Sequence, residues 1–247
     1  RIDTLDAPGM QAIRGRHIGM IFQDPLTSLN PLYTVGQQLT ETLMTHLPLN
    51  REQARQRAIQ WLTDTGIAAA QLRLNQYPHQ FSGGMRQRVV IALALAAEPE
   101  LLIADEPTTA LDVSVQAQII ELIRQQSKQR QTAVMLITHD MGVIAEICDR
   151  VAVLYAGRVV EMGPVQQVLQ QPAHPYTQGL MAAIPDLSTD RERLNQIEGA
   201  MPRLGQIPTG CAFHPRCPKR QERCSLDTPP LMAARSTQAA CWLVTDP

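Results

Sequence analysis

Two short segments of the sequence carry residue types that handle phosphate and a divalent metal ion. The first, Ser82-Gly83-Gly84, puts a helix-capping serine and two glycines before an apolar helical stretch. Free backbone N–H groups and the helix dipole attract phosphate at such a helix start. The second segment is a short apolar run that ends in Asp105 and Glu106. Adjacent carboxylates at the end of a buried strand suit a magnesium ion and an attacking water, so the two segments predict phosphate chemistry.

The two carboxylates are expected to have different roles, because adjacent residues at a strand end point in different directions. Asp105 is predicted to hold Mg²⁺ through water, and Glu106 is predicted to orient or deprotonate the water that attacks the terminal phosphate. An isolated Asp-Glu pair more often consists of two solvated carboxylates where the chain leaves a strand. The interpretation therefore depends on what the neighbouring strands deliver.

Two further strand ends deliver polar groups to the same edge. His139 follows an apolar run and could donate a hydrogen bond to a terminal phosphate oxygen. Gln23 follows another, and its amide oxygen could bind magnesium or position water. The carboxyl ends of parallel strands meet at one edge, where open α/β sheets place their ligands. The combination predicts one site, although each residue alone would indicate little.

The elements that must position these residues alternate between strands and helices, which predicts a mainly parallel α/β sheet. A hairpin is predicted around Ala156-Gly157. Beyond about Gln171 prolines become frequent and no strand is predicted, which places a domain boundary near residues 170–174. The predicted strands are 17–22, 101–104 and 133–138, the hairpin strands 151–155 and 158–161, and the helices 35 to about 66, 85–97, 113–129 and 176–184.

Bulk properties set few limits on function. The chain has 247 residues, 44% of them hydrophobic, which is enough for more than one domain. A net charge of −1 gives no indication of a nucleic-acid partner. The longest apolar run, Val89–Ala97, is far shorter than a membrane span, so any membrane role is expected to be peripheral. The chain opens at Arg1 with no signal peptide, and we expect a segment to precede it.

Five motifs in order resemble those of the ABC ATPases. The matches are Gln23 with the Q-loop glutamine, 82–85 with the signature sequence, 101–107 with the Walker B strand, 109–112 with the D-loop and His139 with the switch histidine. Met85 departs from the family, which often has glutamine there. The chain therefore resembles an ABC ATPase from its Q-loop onward.

The resemblance implies an α/β fold, the ABC-type P-loop NTPase nucleotide-binding domain. It implies an ATPase domain over 1–170 with a helical subdomain at about 34–98, and a small, irregular, cysteine-containing extension over 171–247. No G-x-x-x-x-G-K-[ST] stretch, the loop that cradles the phosphates of ATP, occurs in this sequence. We therefore expect an N-terminally incomplete domain that alone binds ATP poorly and hydrolyses little.

The resemblance also implies a head-to-tail dimer of ATPase subunits with ATP and Mg²⁺ as ligands. The signature residues Ser82, Gly83 and Gly84 would then contact the nucleotide held by the partner subunit. Gln23 and Asp105 would serve the Mg²⁺ of the chain's own site, and Glu106 and His139 its catalytic step. Asp112 would lie between the two sites.

Three longer segments, 22–31, 112–118 and 174–177, resemble the ATPases of dipeptide, oligopeptide and nickel importers. This implies a peripheral subunit on the cytoplasmic face of the bacterial inner membrane, bound to membrane permease subunits through a surface at roughly 27–80. A second ATPase subunit, identical or different, and indirectly a periplasmic solute-binding protein complete the system, with no nucleic acid. Dipeptide or oligopeptide import is favoured. A nickel or other small-solute importer, and a soluble ABC ATPase outside transport, stay open as alternatives.

Four cysteines near the end of the chain form a candidate metal site. Cys211, Cys217, Cys224 and Cys241 lack the C-x2-C pairs of ordinary zinc ribbons, but a cytosolic chain does not readily keep disulfides. Their arrangement resembles the C-terminal extension of dipeptide-importer ATPases, some of which carry a [4Fe–4S] cluster. An iron–sulfur cluster is favoured, with zinc, free thiols and occasional disulfides as alternatives. Cys148 is expected to be ordinary core.

Overall fold

The computed structural model describes residues 1–109, 111–184, 196–203 and 205–244. The chain divides into two compact units, Arg1–His139 and Asp140–Pro247, called here the first and second units. The boundary drawn from the sequence near residue 170 stays a prediction.

A parallel sheet organises the first unit and confirms the predicted strand type. Its strands are β1 (Ile18–Ile21), β2 (Leu101–Asp105) and β3 (Ala133–Ile137), in that order across the sheet. Ile21 pairs with Ala104, and Asp105 pairs with Ile137. Because the last residues of neighbouring strands lie side by side, the segments that follow them leave the sheet at one edge.

Seven α-helices of the described chain belong to the first unit. They are α1 (Ala7–Ile13), α2 (Pro25–Ser28), α3 (Val35–His46), α4 (Arg51–Asp64), α5 (Ala70–Arg73), α6 (Gly83–Leu95) and α7 (Val113–Arg130). The stretch predicted as helical from 35 to about 66 is two helices. Leu47 is extended, as favoured before Pro48, and Asn50 starts α4 with a capping box.

The core of the first unit lies among the sheet and the longer helices. Ile21 and Leu102 from the sheet are fully buried, as are Leu39, Ile91 and Ile119 from α3, α6 and α7. Each such side chain stabilises the fold by roughly 2 kcal/mol through removal of apolar surface from water. Among the residues that the structure describes, no helix combines the length and the apolar character that a membrane crossing requires.

The second unit contains an antiparallel sheet of four strands, which are β4 (Arg150–Tyr155), β5 (Arg158–Pro164), β6 (Met232–Ala234) and β7 (Thr237–Ala239), in the order β4-β5-β7-β6. The predicted hairpin is confirmed as β4 paired with β5. The prediction that no strand follows residue 171 is wrong, because β7 pairs with both β5 and β6. Three-residue strands are too short to show alternation in the sequence. The α-helices of this unit are α8 (Met141–Ile147), α9 (Val165–Gln170), α10 (Pro175–Ala182) and α11 (Arg223–Leu226).

Candidate functional site

Glu106 is the centre of a polar cluster at the carboxyl edge of the parallel sheet. Gln23 Nε2, beyond β1, donates to Glu106 Oε2 at 2.6 Å. His139 Nδ1, beyond β3, lies 3.1 Å from Glu106 Oε1. The structure thus brings together three of the predicted site residues, one from the end of each strand.

Thr109 belongs to this cluster, although the sequence motifs assigned it no role of its own. Its hydroxyl donates to Glu106 Oε2 at 2.9 Å, and its backbone N–H donates to the carbonyl oxygen of Glu106 at 3.1 Å. A threonine three residues after a strand-end carboxylate can fold back onto it in a tight turn, and that spacing is the signal that could have identified it.

The environment of Glu106 favours its charged form. The hydrogen bond to His139, followed by those from Thr109 and Gln23, holds the pKa of the Glu106 carboxyl below its usual value of 4.5. The side chain is one-quarter exposed, whereas that of His139 is 83% exposed. An ionised carboxylate is therefore held at the protein surface, where water and a ligand can reach it.

The backbone at Glu106 is in the left-handed region, with φ of +42°. This conformation is costly for a residue with a Cβ atom and persists where the surroundings hold it. The backbone N–H of Glu106 donates to the Ile137 carbonyl oxygen at 2.9 Å, which ties the turn to β3. Asp105, the last residue of β2, keeps regular strand pairing. The two carboxylates therefore leave the sheet on different backbone conformations.

The signature segment begins α6 as predicted. Ser82 is the N-cap, and its hydroxyl oxygen accepts from the Met85 N–H at 3.4 Å. A Cβ atom at Gly84 would lie 3.1 Å from Val115 Cγ1 of α7, so the helix start approaches α7 closely. The first turn of α6 leaves backbone N–H groups without intrahelical partners, which is the arrangement that binds phosphate.

Asp112 has a structural contact in addition to its predicted place between two nucleotide sites. It is the N-cap of α7, where its Oδ1 accepts from the Val115 N–H at 2.9 Å and from the Ser114 hydroxyl at 2.7 Å. These two hydrogen bonds lower the pKa of the Asp112 carboxyl. The aspartate therefore fixes the start of α7 as an anion.

The four C-terminal cysteines line one pocket of the second unit. All five cysteines of the chain are free thiols. Burial raises the pKa of the Cys211, Cys217 and Cys241 thiols, which favours their neutral form. In the described ranges, no group of three or more His, Cys, Asp or Glu side chains is placed to hold a metal ion. The pocket is lined by Cys211, Cys217, Cys224 and Cys241 with His174, Phe213, His214 and Trp242 among its other residues.

Gly210 allows two of these cysteines to approach each other. The Cys211 N–H donates to the Cys224 carbonyl oxygen at 2.8 Å. Gly210 has φ of +70°, and a Cβ atom there would lie 2.4 Å from the same carbonyl oxygen. A larger residue at this position would separate the two segments.

Two family models match the chain. The model described as ABC transporter matches residues 3–109, which include the signature segment and Glu106. The model described as oligopeptide/dipeptide transporter, C-terminal region, matches residues 160–224, which include three of the four pocket cysteines.

Two curated proteins of Bacillus subtilis (strain 168) illustrate the similarity. The oligopeptide transport ATP-binding protein AppD is 47% identical over 232 residues, covering 94% of this chain and 71% of AppD. The dipeptide transport ATP-binding protein DppD is 49% identical over 235 residues, covering 95% of this chain and 70% of DppD.

Solved structures confirm the fold class. The dimeric, post-hydrolysis structure of the ATP-binding cassette MJ0796 bound to ADP and Pi superposes with a TM-score of 0.59 at 31% identity, covering 66% of this chain and 69% of MJ0796. The matched family model and the superposed structure agree with the motifs read from the sequence and with the polar cluster around Glu106. The chain belongs to the ABC transporter ATPases, in the group with an oligopeptide/dipeptide transporter C-terminal region.

Proposed function

We propose that this chain is the ATP-hydrolysing subunit of an ABC importer that moves dipeptides or oligopeptides across the bacterial inner membrane. The observation that carries the ATPase part is the Glu106 carboxylate, held as an anion by groups from the two neighbouring strand ends and one turn. The transport part is supported by the names of the relatives and by the matched C-terminal region.

Glu106 acts on the attacking water in this proposal. A carboxylate with a lowered pKa stays ionised at neutral pH and accepts a hydrogen bond from water, which orients the water toward the terminal phosphate of ATP. Gln23 and Thr109 both hold Oε2, while His139 lies against Oε1. The carboxylate is thereby fixed in one orientation before the nucleotide arrives.

His139 would bridge the carboxylate and the terminal phosphate. Its Nδ1 faces Glu106, so a proton on Nδ1 is donated to the carboxylate. A second donation, from Nε2 to a phosphate oxygen, requires the imidazolium form, because neutral histidine carries one N–H. The imidazolium would then lie between two anions, and loss of the phosphate on product release would remove one of its two partners.

The donor set at the sheet edge fits magnesium. Asp105 provides a carboxylate, and Gln23, which donates through Nε2, keeps its amide oxygen for a metal ion. Oxygen donors of this kind are those that Mg²⁺ prefers. Bound there, Mg²⁺ would neutralise charge on the phosphates of ATP.

We propose a head-to-tail dimer with a second ATPase subunit, identical or different. The α6 start at Ser82, Gly83 and Gly84 would contact the partner's ATP, and Asp112 would lie between the two sites. The dimeric cassette MJ0796 supports this arrangement by fold likeness. The assembly would bind the cytoplasmic face of membrane permease subunits through a surface at 27–80, with a periplasmic binding protein delivering the peptide.

The test is Glu106→Gln in the native transporter complex. We expect ATP turnover to fall by about 100-fold or more while ATP binding is retained, because the amide cannot take up a proton from water. Uptake of a labelled dipeptide should stop in the same variant. Glu121→Gln is the matched control, since Glu121 is an exposed carboxylate of α7 paired with Arg124. Unchanged turnover in Glu106→Gln would refute the assignment. ATP turnover that neither dipeptides nor oligopeptides stimulate would refute the transport part.

We also propose that the pocket cysteines hold a [4Fe–4S] cluster with a structural or regulatory role, which would require the four thiols to come closer together than they lie in this structure. Four thiols around one pocket provide the ligand type and number that such a cluster takes. Because burial favours neutral thiols there, assembly would release protons as the thiolates form. When bound, the cluster would join chain segments far apart in sequence, which is a structural role. A catalytic role is not needed, because phosphoryl transfer itself needs no electrons.

Anaerobic purification tests the cluster. We expect a brown protein with iron and sulfide in equal amounts and a visible absorption band that Cys224→Ser removes. Cys148→Ser is the control, since Cys148 is outside the pocket lining. A colourless protein that contains zinc, or no metal, would refute the cluster and leave the ATPase proposal untouched.

A further inference from the structure

Gln87 is a buried residue at which a polar side chain is not needed for the stability of the fold. It lies on α6, one turn after the Ser82 cap, and is 1% exposed. Its Nε2 donates to the Pro107 carbonyl oxygen at 2.6 Å. Its Oε1 is buried and has no hydrogen-bond partner within the described parts of the chain. A half-satisfied buried amide is costly, so an apolar residue of similar shape would serve packing as well or better.

The carbonyl that Gln87 holds belongs to the residue next to Glu106. Pro107 directly follows Glu106, whose φ of +42° is strained for a residue with a Cβ atom. Pro107 has no N–H, so its carbonyl is the one backbone hydrogen-bonding group that can fix this residue. Gln87 therefore anchors the chain on the C-terminal side of Glu106, while the bond from the Glu106 N–H to Ile137 anchors the other side.

A second glutamine anchors the rest of the same segment. Gln116 Nε2, from α7, contacts the carbonyl oxygens of Thr108 and Leu111 at 3.3 and 3.2 Å. Gln116 is half-buried, whereas Gln87 is buried and reaches in from a different helix. The turn that carries Glu106 is thus held by the helix that begins at the signature segment as well as by α7.

The start of α6 is also packed tightly enough to transmit displacement. A Cβ atom added at Gly84 would lie only 3.1 Å from Val115 Cγ1, so α6 and α7 are in close contact at this point. A shift of the signature helix would therefore move the Gln87 amide together with the helix rather than be absorbed by a gap.

We propose that Gln87 is a positioning residue for ATP hydrolysis, which sets the orientation of Glu106 by holding the Pro107 carbonyl. It thereby links the helix that contacts the partner's nucleotide to the carboxylate of the chain's own site. The proposal rests on the function proposed above for Glu106. Gln87 itself touches neither water nor nucleotide in this scheme.

The experiment compares Gln87→Met with Gln126→Met in the native transporter complex. Gln126 is the control, because it is also a buried glutamine whose Nε2 reaches a backbone carbonyl, that of Asp64 at the end of α4; unlike that of Gln87, its Oε1 accepts from Arg130. In Gln87→Met we expect kcat to fall roughly 10- to 100-fold with the KM for ATP unchanged, since misplacement of a catalytic group affects turnover and not binding. The midpoint of urea unfolding should change little, because the variant removes one unpartnered buried oxygen, Gln87 Oε1, and leaves one carbonyl oxygen, that of Pro107, without its donor. Gln126→Met should keep the kcat of the unaltered protein.

Three results would overturn the proposal: an unchanged kcat in Gln87→Met, a rise in KM that accounts for the loss, or an equal loss in Gln126→Met. If Gln87→Met does not fold, Gln87→Leu gives the same comparison with a different packing shape. Glu106→Gln separates the two proposals. If that variant keeps its turnover, the function of Glu106 is wrong. If it loses turnover while Gln87→Met does not, the positioning role alone is wrong.

Discussion

Two ionisable groups in the two units have lowered pKa values for opposite reasons. At the sheet edge of the first unit, hydrogen bonds lower the pKa of Glu106 and keep it charged. In the second unit, burial lowers the pKa of His174 from 6.5 to about 4 and keeps it neutral. His174 is 1% exposed, and its Nδ1 accepts from the Tyr176 N–H at 3.0 Å as the N-cap of α10.

The difference shows which groups are available for chemistry. Glu106 combines charge, exposure and a strained backbone, which is how a protein prepares a group to act on a ligand. His174 is packed among the rings of the second unit and close to Phe213, at 5.9 Å between ring centroids. A lowered pKa alone therefore does not identify a catalytic residue, since burial and hydrogen bonding must be separated first.

The largest expected effect is a pH dependence of stability from His174. Its folded pKa is below its unfolded one, so its contribution is full above pH 6.5, decreases as the pH falls below that value and is gone below about pH 4. We expect a loss of about 3 kcal/mol across this window, since one pKa unit corresponds to about 1.4 kcal/mol. Trp242 fluorescence during urea unfolding, with Trp61 replaced by Phe, reports on the second unit of the iron-free protein.

His174→Asn is the control for this pH dependence. Its side-chain oxygen can accept from the Tyr176 N–H as the N-cap, but it does not titrate. The slope between pH 4 and 6.5 should decrease in this variant. An unchanged slope would mean that other groups produce the pH dependence.

Replacing Glu161 and Glu106 each by glutamine compares a buried glutamate with one that acts on a ligand. Glu161 is fully buried, and its two oxygens accept from the N–H groups of Ala173 and His174 at 2.8 and 2.9 Å. In Glu161→Gln an NH₂ group faces one of these donors, which should cost about 2 kcal/mol of unfolding free energy. Glu106→Gln should leave the unfolding midpoint of the first unit unchanged and abolish turnover. Equal loss of stability in the two variants would contradict the distinction between a structural and a catalytic glutamate.

A smaller effect is expected at the two signature glycines. Alanine is favoured over glycine in a helix by up to about 1 kcal/mol. At Gly83 a Cβ atom would lie 3.9 Å from Leu111, an ordinary contact, so Gly83→Ala should gain part of that stability. At Gly84 the 3.1 Å contact with Val115 should cancel the gain. Urea unfolding of both variants measures the difference, and an equal gain at both would show that α6 and α7 are less tightly packed than the structure indicates.

The smallest expected effect is a change in the pKa of Glu106. His139→Ala removes the largest of the hydrogen bonds that stabilise the carboxylate, so the pKa should rise toward 4.5. An NMR titration of the labelled side-chain carboxyl measures it. His17→Ala is the control, because His17 contacts Glu100 in the same unit. A pKa that does not rise would leave Thr109 and Gln23 as the groups that hold the charge.

Much of the site could be predicted from local patterns. The apolar run before Asp105 and the cap at Ser82 are short-range signals, since strand burial and helix capping depend on residues within a few positions. The break in the helical stretch after Val35 has a local cause that hydrophobic periodicity does not report, since Pro48 favours an extended Leu47. The sequence of β7 contains no pattern that predicts its pairing with β5, since a three-residue strand is stabilised by its neighbour rather than by its own sequence.

The sequence by itself determined which chemical groups the chain offers and the order in which they occur along it. A serine and glycines before a helix, two carboxylates after a strand, and a glutamine and a histidine after two other strands are set by residue type and spacing. The tertiary structure decided which atoms meet. Gln23 and Glu106 are 83 residues apart, and Gln87 reaches Pro107 across 20 residues. Such contacts depend on strand order and helix packing, which arise from burial over the whole unit and not from any local pattern.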